Sequence, residues 1–399
     1  MSAVPEPMES FDVVVVGGGP AGATAAHELA QRGRSVLLLD RAGRIKPCGG
    51  AIPPRLIKDF AIPDDLLVAK ITSARMVAPS DKKVDIPIDD GFVGMVDREH
   101  FDPWLRARAV ARGAVLQSGR FTTLTRDTDG TAVVNYLEGE DGAPRAVRAR
   151  SVIGADGATS EVARQSVPGA DRMRYVFAYH EIVHSPQHRE GDFDARRCDV
   201  IYRGALSPDF YSWVFPHGAT TSVGTGSAHK GFKMRHSVAA LREQLGLGGE
   251  TIRREGAPIP LKPLKRWDNG RDVVLAGDAS GVVAPASGEG IYYAMLGGQL
   301  AAEAIEGLLA TGNVRALRHA RKRFMRVHGR VFWILGIMQR FWYTSEKRRE
   351  SFVSICRDRD VQRLTFEAYM NKELVRRQPM AHVRIFFKDL AHLLGFARA

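Results

Sequence analysis

Gly17, Gly19 and Gly22 stand at G-x-G-x-x-G spacing directly after the run Val13 to Val16. Glycines so placed allow a tight turn, close approach of backbone to a pyrophosphate, and close packing of a helix on a strand. Three acids recur in matching positions: Asp40 after Arg34 to Leu39, Asp156 after Ser151 to Gly154, and Asp278 after Arg271 to Leu275. A carboxylate at the carboxyl end of a buried strand can accept hydrogen bonds from sugar hydroxyls, and open α/β sheets bind ligands at that end. Asp156, next to Gly157, reads first as a ligand-binding acid, with a plain turn residue as the alternative. Pro285 and Gly288-Glu289-Gly290 lead into a helix whose first N–H groups favour negative charge. Cys48 is followed by Gly49 and Gly50. Paired glycines let backbone lie along a flat ligand and would set the thiol at that surface; a turn beside an inert, buried cysteine fits the same residues.

These groups need a parallel sheet to position them. The four valines read as a strand buried on both faces, Pro20 to Gln31 as a helix, and Arg34 to Leu39 as a second strand. Asp40 lies 18 residues beyond the last glycine, so the unit reads as βαβ and nucleotide-binding. Ile71 to Val96 breaks the pattern with short strands. A helix is predicted from Asp97-Arg98 to about Arg112, then a meander over Phe121 to Ala149 with turns at Asp129-Gly130 and Asp141-Gly142, then a buried strand at Ser151 to Gly154. Between Tyr175 and Pro260 the period becomes two, which predicts a second, antiparallel layer. Tyr211, Trp213 and Phe215 alternate onto one face, either as ordinary sheet core or as the lining of an apolar channel. The parallel pattern returns at Arg271, followed by a helix from Ile291 to about Leu309. The nucleotide domain is therefore discontinuous (1–75, 97–170 and 267–310), with 76–96 and 171–266 as a substrate domain and 311–399 as a C-terminal helical region.

A chain of 399 residues is long enough for two or three packed units. Its net charge of +12 suits an acidic surface. Residues 315–349 hold eleven Lys/Arg against Glu346 alone, which makes +10 of that charge local. Leu317, Ala320, Phe324, Val327, Val331, Ile334, Met338 and Phe341 follow 3,4 spacing there. The stretch reads either as a core-packing helix with a solvated basic face or as an interfacial helix on an anionic membrane, with Trp333, Trp342 and Tyr343 at headgroup level. No nucleic-acid module accompanies the charge. Cys48, Cys198 and Cys356 are widely separated and not in C-x-x-C pairs, so neither a zinc site nor a disulfide framework is indicated, and a reducing cytoplasm is the natural reading. The N-terminus runs straight into the first strand, leaving no place for a signal peptide, and no run reaches the length of a spanning helix, so membrane contact would be peripheral.

Together, the glycine motif, Pro47-Cys48-Gly49-Gly50, Tyr211-x-Trp213-x-Phe215-Pro216, Asp156-Gly157, and Gly277-Asp278 with Pro285 and Gly288-Glu289-Gly290 resemble the FAD-dependent geranylgeranyl reductase family, closest to its photosynthetic branch. The resemblance implies a glutathione-reductase-type, Rossmann-like FAD domain with an inserted antiparallel substrate sheet. It implies reduction of the isolated C=C bonds of a geranylgeranyl chain, carried on a chlorophyll-type macrocycle or a diphosphate. In the family pattern, Gly17, Gly19 and Gly22 bind the FAD pyrophosphate, Asp40 the adenosine ribose, Arg98 the phosphates or their surroundings, and Asp156, Asp278 and Pro285 further parts of the cofactor. Gly49, Gly50, Gly288 and Gly290 approach the flavin ring. Cys48 becomes a catalytic candidate, and Tyr211, Trp213 and Phe215 walls of a prenyl channel. Asp40 stands where many relatives have Glu. With no second G-x-G-x-x-G, NADPH would dock transiently as reductant. A flavin monooxygenase and a non-enzymatic prenyl-binding escort remain alternatives.

Overall fold

Four consecutive valines with almost no exposure, Val13 to Val16, complete the central strand of the first sheet. A computed structural model describes residues 8–363, except 42, 44, 90, 140–141 and 187–190, together with 370 and 372. In chain order the elements are β1 (Ser10–Val16), α1 (Pro20–Gln31), β2 (Val36–Asp40), β3 (Ala51–Ile52), α2 (Pro54–Asp59), β4 (Ala69–Ile71), β5 (Ser73–Val77), β6 (Lys83–Pro87), β7 (Val93–Met95) and α3 (Arg98–Val110). They continue as β8 (Val115–Arg126), β9 (Ala132–Glu138), β10 (Ala143–Gly154), α4 (Glu161–Ser166), β11 (Tyr175–His184), β12 (Arg197–Ile201), β13 (Ser212–His217), β14 (Thr220–Ser227), α5 (Met234–Gln244), β15 (Thr251–Pro260), β16 (Val273–Leu275), α6 (Ile291–Thr311), α7 (Arg318–Trp342) and α8 (Glu346–Ile355). Two compact units share them. The first comprises Met1–Lys46, Glu99–Tyr175 and Ile259–Trp333; the second comprises Pro47–Arg98, Val176–Pro258 and Ile334–Ala399.

The first unit is α/β. Its parallel strands lie in the order β8, β2, β1, β10, β16. The order reverses beside β1, which makes the end of β1 the switch point at which such sheets take ligands. Ser151 to Gly154 is the second half of β10 rather than a strand of its own. The first half of β10 pairs antiparallel with β9, and the second pairs parallel with β1 and β16. The turn at Asp129-Gly130 is present, with Gly130 at φ +82, while Asp141 of the other predicted turn lies outside the described residues.

The second unit is built on a seven-stranded sheet in the order β15, β11, β14, β13, β12, β5, β6. It is antiparallel except for the parallel pair of β5 with β12, a pairing that short local turns cannot produce and that the alternation of the sequence does not reveal. One face packs on α5: Tyr179, Val183, Val214 and Val223 bury against Val238 and Leu241. A β-strand presents successive side chains to opposite faces, so Trp213 and Phe215 lie on the face that α5 does not cover.

Helix α7 departs from the predicted stripe. Ala320, Phe324, His328 and Phe332 are buried, at steps of four, around Trp267 and Tyr293. A four-residue step rotates the contact line relative to the 3,4 pattern, so Val327 is 63% exposed and Ile334 39%. Trp333 is 69% exposed, but Trp342 and Tyr343 are not surface groups. The Tyr343 ring packs tilted against Tyr202, with centroids 5.2 Å apart, and Trp342 packs 6.0 Å from Phe352. The part of the predicted C-terminal helical region beyond 363, other than 370 and 372, lies outside the described residues.

Candidate functional site

In the first unit the chain turns at Gly17, whose φ of +103 suits glycine, and whose N–H donates to Leu39 O at 2.7 Å. A Cβ on Gly17 would sit 2.4 Å from Ala155 O and 2.8 Å from Asp156 Cα; one on Gly22 would sit 1.8 Å from Gly17 O. Backbone from β1, α1 and the loop after β10 thus converges with no room for side chains. Gly19 is the N-cap of α1 and makes no side-chain cap, and Pro20 opens the helix without an N–H of its own. The remaining first-turn N–H groups are the donors that a pyrophosphate requires. The cradle fits a dinucleotide.

Asp40 ends β2, and its Oδ2 accepts from Arg106 Nη1 at 3.1 Å; the same guanidinium reaches Gly18 O at 3.3 Å. Arg106 was not among the sequence candidates. Its signal was available in the i, i+4, i+8 series Arg98, Asp102, Arg106 along one face of α3. Arg98 itself is buried at the start of that helix. Lys46, also missed, pairs through Nζ with Asp278 Oδ2 at 2.5 Å. Asp278 follows β16, and a Cβ on Gly290, the N-cap of α6, would lie 3.7 Å from Asp278 Oδ1. Gly288 has φ +67 and donates to Ala284 O at 2.8 Å, folding the Pro285 loop back on itself. Glu289 caps α6 by accepting from Tyr292 N at 2.9 Å.

The Asp156 side chain is engaged locally, as in the turn-residue reading. It accepts from Ser160 Oγ, from Glu161 N at 2.7 Å and from Val162 N at 3.2 Å, which makes it the anchor of α4. Burial pushes its carboxyl up, against those bonds. What Asp156 gives the cradle is backbone.

In the second unit, Cys48, Gly49 and Gly50 form a loop seated on β13. A Cβ on Gly49 would meet the Phe215 ring at 3.2 Å. Gly50 N donates to Cys48 Sγ at 3.4 Å, and the Cys48 thiol is partly exposed, whereas Cys198 and Cys356 are buried. Tyr211 lies within electrostatic reach of Cys48, and burial holds its hydroxyl well above its ordinary pKa, hence neutral. Tyr211, Trp213 and Phe215 form a ladder with ring centroids 6.0 and 6.1 Å apart. The Trp213 indole lies over Gly224 of the neighbouring strand, where a Cβ would be 2.2 Å from the ring. Its Nε1 donates to Ser222 Oγ at 3.1 Å, and Ser222 in turn contacts His180 Nδ1 at 2.9 Å. Among the described residues no cluster of His, Cys, Asp and Glu could hold a metal ion.

A profile described as pyridine nucleotide-disulphide oxidoreductase matches residues 11–196. A geranylgeranyl diphosphate reductase of Rhodobacter capsulatus is 56% identical over 96% of this chain and 98% of that protein. The chloroplastic geranylgeranyl diphosphate reductase of Oryza sativa subsp. japonica is 36% identical over 96% of this chain and 86% of its own. A crystal structure of a geranylgeranyl bacteriochlorophyll reductase-like protein from Thermoplasma acidophilum is 22% identical, with a TM-score of 0.81 over 94% of this chain and 100% of that one; it shares the fold. With a cradle that fits a dinucleotide and relatives of this extent, the chain belongs to the geranylgeranyl diphosphate reductase family and is an FAD-dependent oxidoreductase.

Proposed function

We propose that this protein reduces isolated C=C bonds of a geranylgeranyl chain to the phytyl level, with NADPH as reductant and the chain carried on a chlorophyll-type macrocycle. The observation that carries this reading is the seating of the Cys48 loop on the aromatic strand, which sets a thiol beside an apolar face. Gly17, Gly19, Gly22, Asp40, Arg106 and Asp278 hold FAD, which supplies hydride when bound and reduced. An isolated trisubstituted alkene has no carbonyl to take up negative charge. A proton must therefore arrive with or before the hydride, on the less substituted carbon, so that positive charge grows at the tertiary carbon. Cys48 delivers that proton to carbon and is left as thiolate, stabilised by the N–H of Gly50, until solvent reprotonates it. Tyr211, Trp213 and Phe215 line the prenyl chain and exclude water. The test is anaerobic incubation of the FAD-loaded protein with NADPH and each prenyl substrate in turn, geranylgeranyl diphosphate or geranylgeranylated pigment. Products heavier by two hydrogens per bond are expected, most readily on the pigment; no mass gain on any of them overturns the reading.

The reading extends to a membrane. Among the described residues no helix is long and apolar enough to cross one. Helix α7 exposes Val327, Trp333, Ile334 and Ile337 beside a basic series that includes Arg318, Lys322, Arg326 and Arg330, the composition of a helix that rests on anionic lipid. Basic residues at such a surface contribute about 1 kcal/mol each. Changing Arg318, Lys322 and Arg326 to Glu is thus expected to weaken binding to phosphatidylserine-containing vesicles by about 10²-fold or more at low salt, read by co-sedimentation. A folded variant that binds as before would make α7 a solvated helix only.

A further inference from the structure

His217 lies at the end of β13, two residues after Phe215 and on the same face. Its side chain is 5% exposed. Nδ1 is 2.8 Å from Asp97 Oδ1, and Nε2 is 3.1 Å from Gly49 O. Both partners are acceptors, and each faces a ring nitrogen that can donate to it. The same ring is packed under Gly50: a Cβ there would be 2.4 Å from His217 Cε1 and 2.5 Å from Val96 O, and Gly50 holds φ +71. On the far side, Gly50 O accepts from Val96 N at 2.9 Å. The three-residue loop is therefore gripped at one carbonyl by His217, at the next by Val96, and from below by Phe215, and this grip aims the Gly50 N–H at Cys48 Sγ.

We propose that His217, held by Asp97, is a positioning residue that fixes the Cys48-Gly49-Gly50 turn and so sets the orientation and reactivity of the thiol. The inference rests on the reading of Cys48 as proton donor, and on nothing that touches the dinucleotide cradle. A hydrogen bond to a backbone carbonyl fixes geometry better than packing alone, because it is directional.

Two substitutions separate the two ring nitrogens. Gln places an amide N–H near the Nε2 position and keeps the bond to Gly49; Asn places one near Nδ1 and keeps only the side toward Asp97. With FAD bound, His217→Asn is expected to lower kcat about tenfold and to change the rate of iodoacetamide alkylation at Cys48 by about fivefold or more, with KM little changed, as expected for loss of one hydrogen bond. His217→Gln is expected to recover most of both. Alkylation is followed by peptide mass spectrometry, with buried Cys198 and Cys356 as unreactive internal references. If alkylation of Cys48 is unaltered in His217→Asn, or if Asn and Gln behave alike, the positioning role is overturned. Should His217→Asn fail to fold, Asp97→Asn replaces it: it leaves the ring in place and alters its partner, and unchanged alkylation there overturns the role equally. The alkylation arm reads the loop whether or not Cys48 acts in turnover. Near-normal turnover of Cys48→Ala would remove the proton-donor reading alone, whereas loss of the alkylation effect removes His217 alone.

Discussion

Gly22→Ala is expected to yield a folded protein that has lost FAD, with affinity down by about 10²-fold, since overpacking a tight contact costs about 1–3 kcal/mol. The added methyl would lie 1.8 Å from Gly17 O, 3.0 Å from Gly17 C and 3.2 Å from the Ala155 methyl. The first two are backbone at a turn that is itself closed by the bond from Gly17 N to Leu39 O. A side chain would rotate away, but a carbonyl cannot. Helix α1 must therefore back off from β1, and its first N–H groups move with it, including that of Ala23, which bonds Gly19 O at 2.9 Å. Flavin content after gel filtration and quenching of flavin fluorescence on titration measure the effect, with circular dichroism to confirm the fold. Wild-type affinity in this variant would place the pyrophosphate elsewhere.

Cys48→Ala is expected to retain bound FAD and its reduction by NADPH, while alkene reduction falls by about 10²-fold or more, the lower end of what a positioned proton donor contributes. The substitution removes one sulfur and introduces no clash, and the loop keeps its bonds from His217 and Val96. None of the groups in the cradle of the first unit is altered. Stopped-flow absorbance separates the reductive half-reaction from turnover, and product mass reports the alkene step. Turnover near the normal rate would exclude Cys48 from proton delivery. Loss of flavin reduction would instead make it part of electron input.

Local pattern made much of the first unit legible. Helix α1 occupies the residues that the motif predicts, because Gly19 and Pro20 fix its start and the buried valines fix the strand before it. The continuity of β10 was not legible: its first half alternates like a meander and its second half is buried on both faces, so one strand reads as two. Arg106 and Lys46 escaped for a different reason. The series on α3 marks the face that carries Arg106, but the partners of Arg106 and Lys46 lie 66 and 232 residues away, and no periodicity encodes which residues pair at that distance. In the second unit the alternation of Tyr211, Trp213 and Phe215 was plain. Which face a helix would cover depended on α5, a tertiary choice outside the strand itself. The same kind of choice rotated the contact line of α7 and put Trp342 and Tyr343 inside.

The first unit is assembled from three stretches of chain, and strand β10 is flanked by β1 on one side and β16 on the other. On the ribosome, the glycine turn emerges long before Asp278 and the Gly290 end of α6 exist. Until then Lys46 has no carboxylate to meet, and the edge of β10 that will receive β16 stands open. Contacts between segments so far apart close late and slowly. Flavin capture thus waits for the third stretch: a shorter nascent chain can make the turn but not the finished site, and a truncation before residue 277 is expected to leave an open, aggregation-prone sheet edge rather than a smaller flavoprotein.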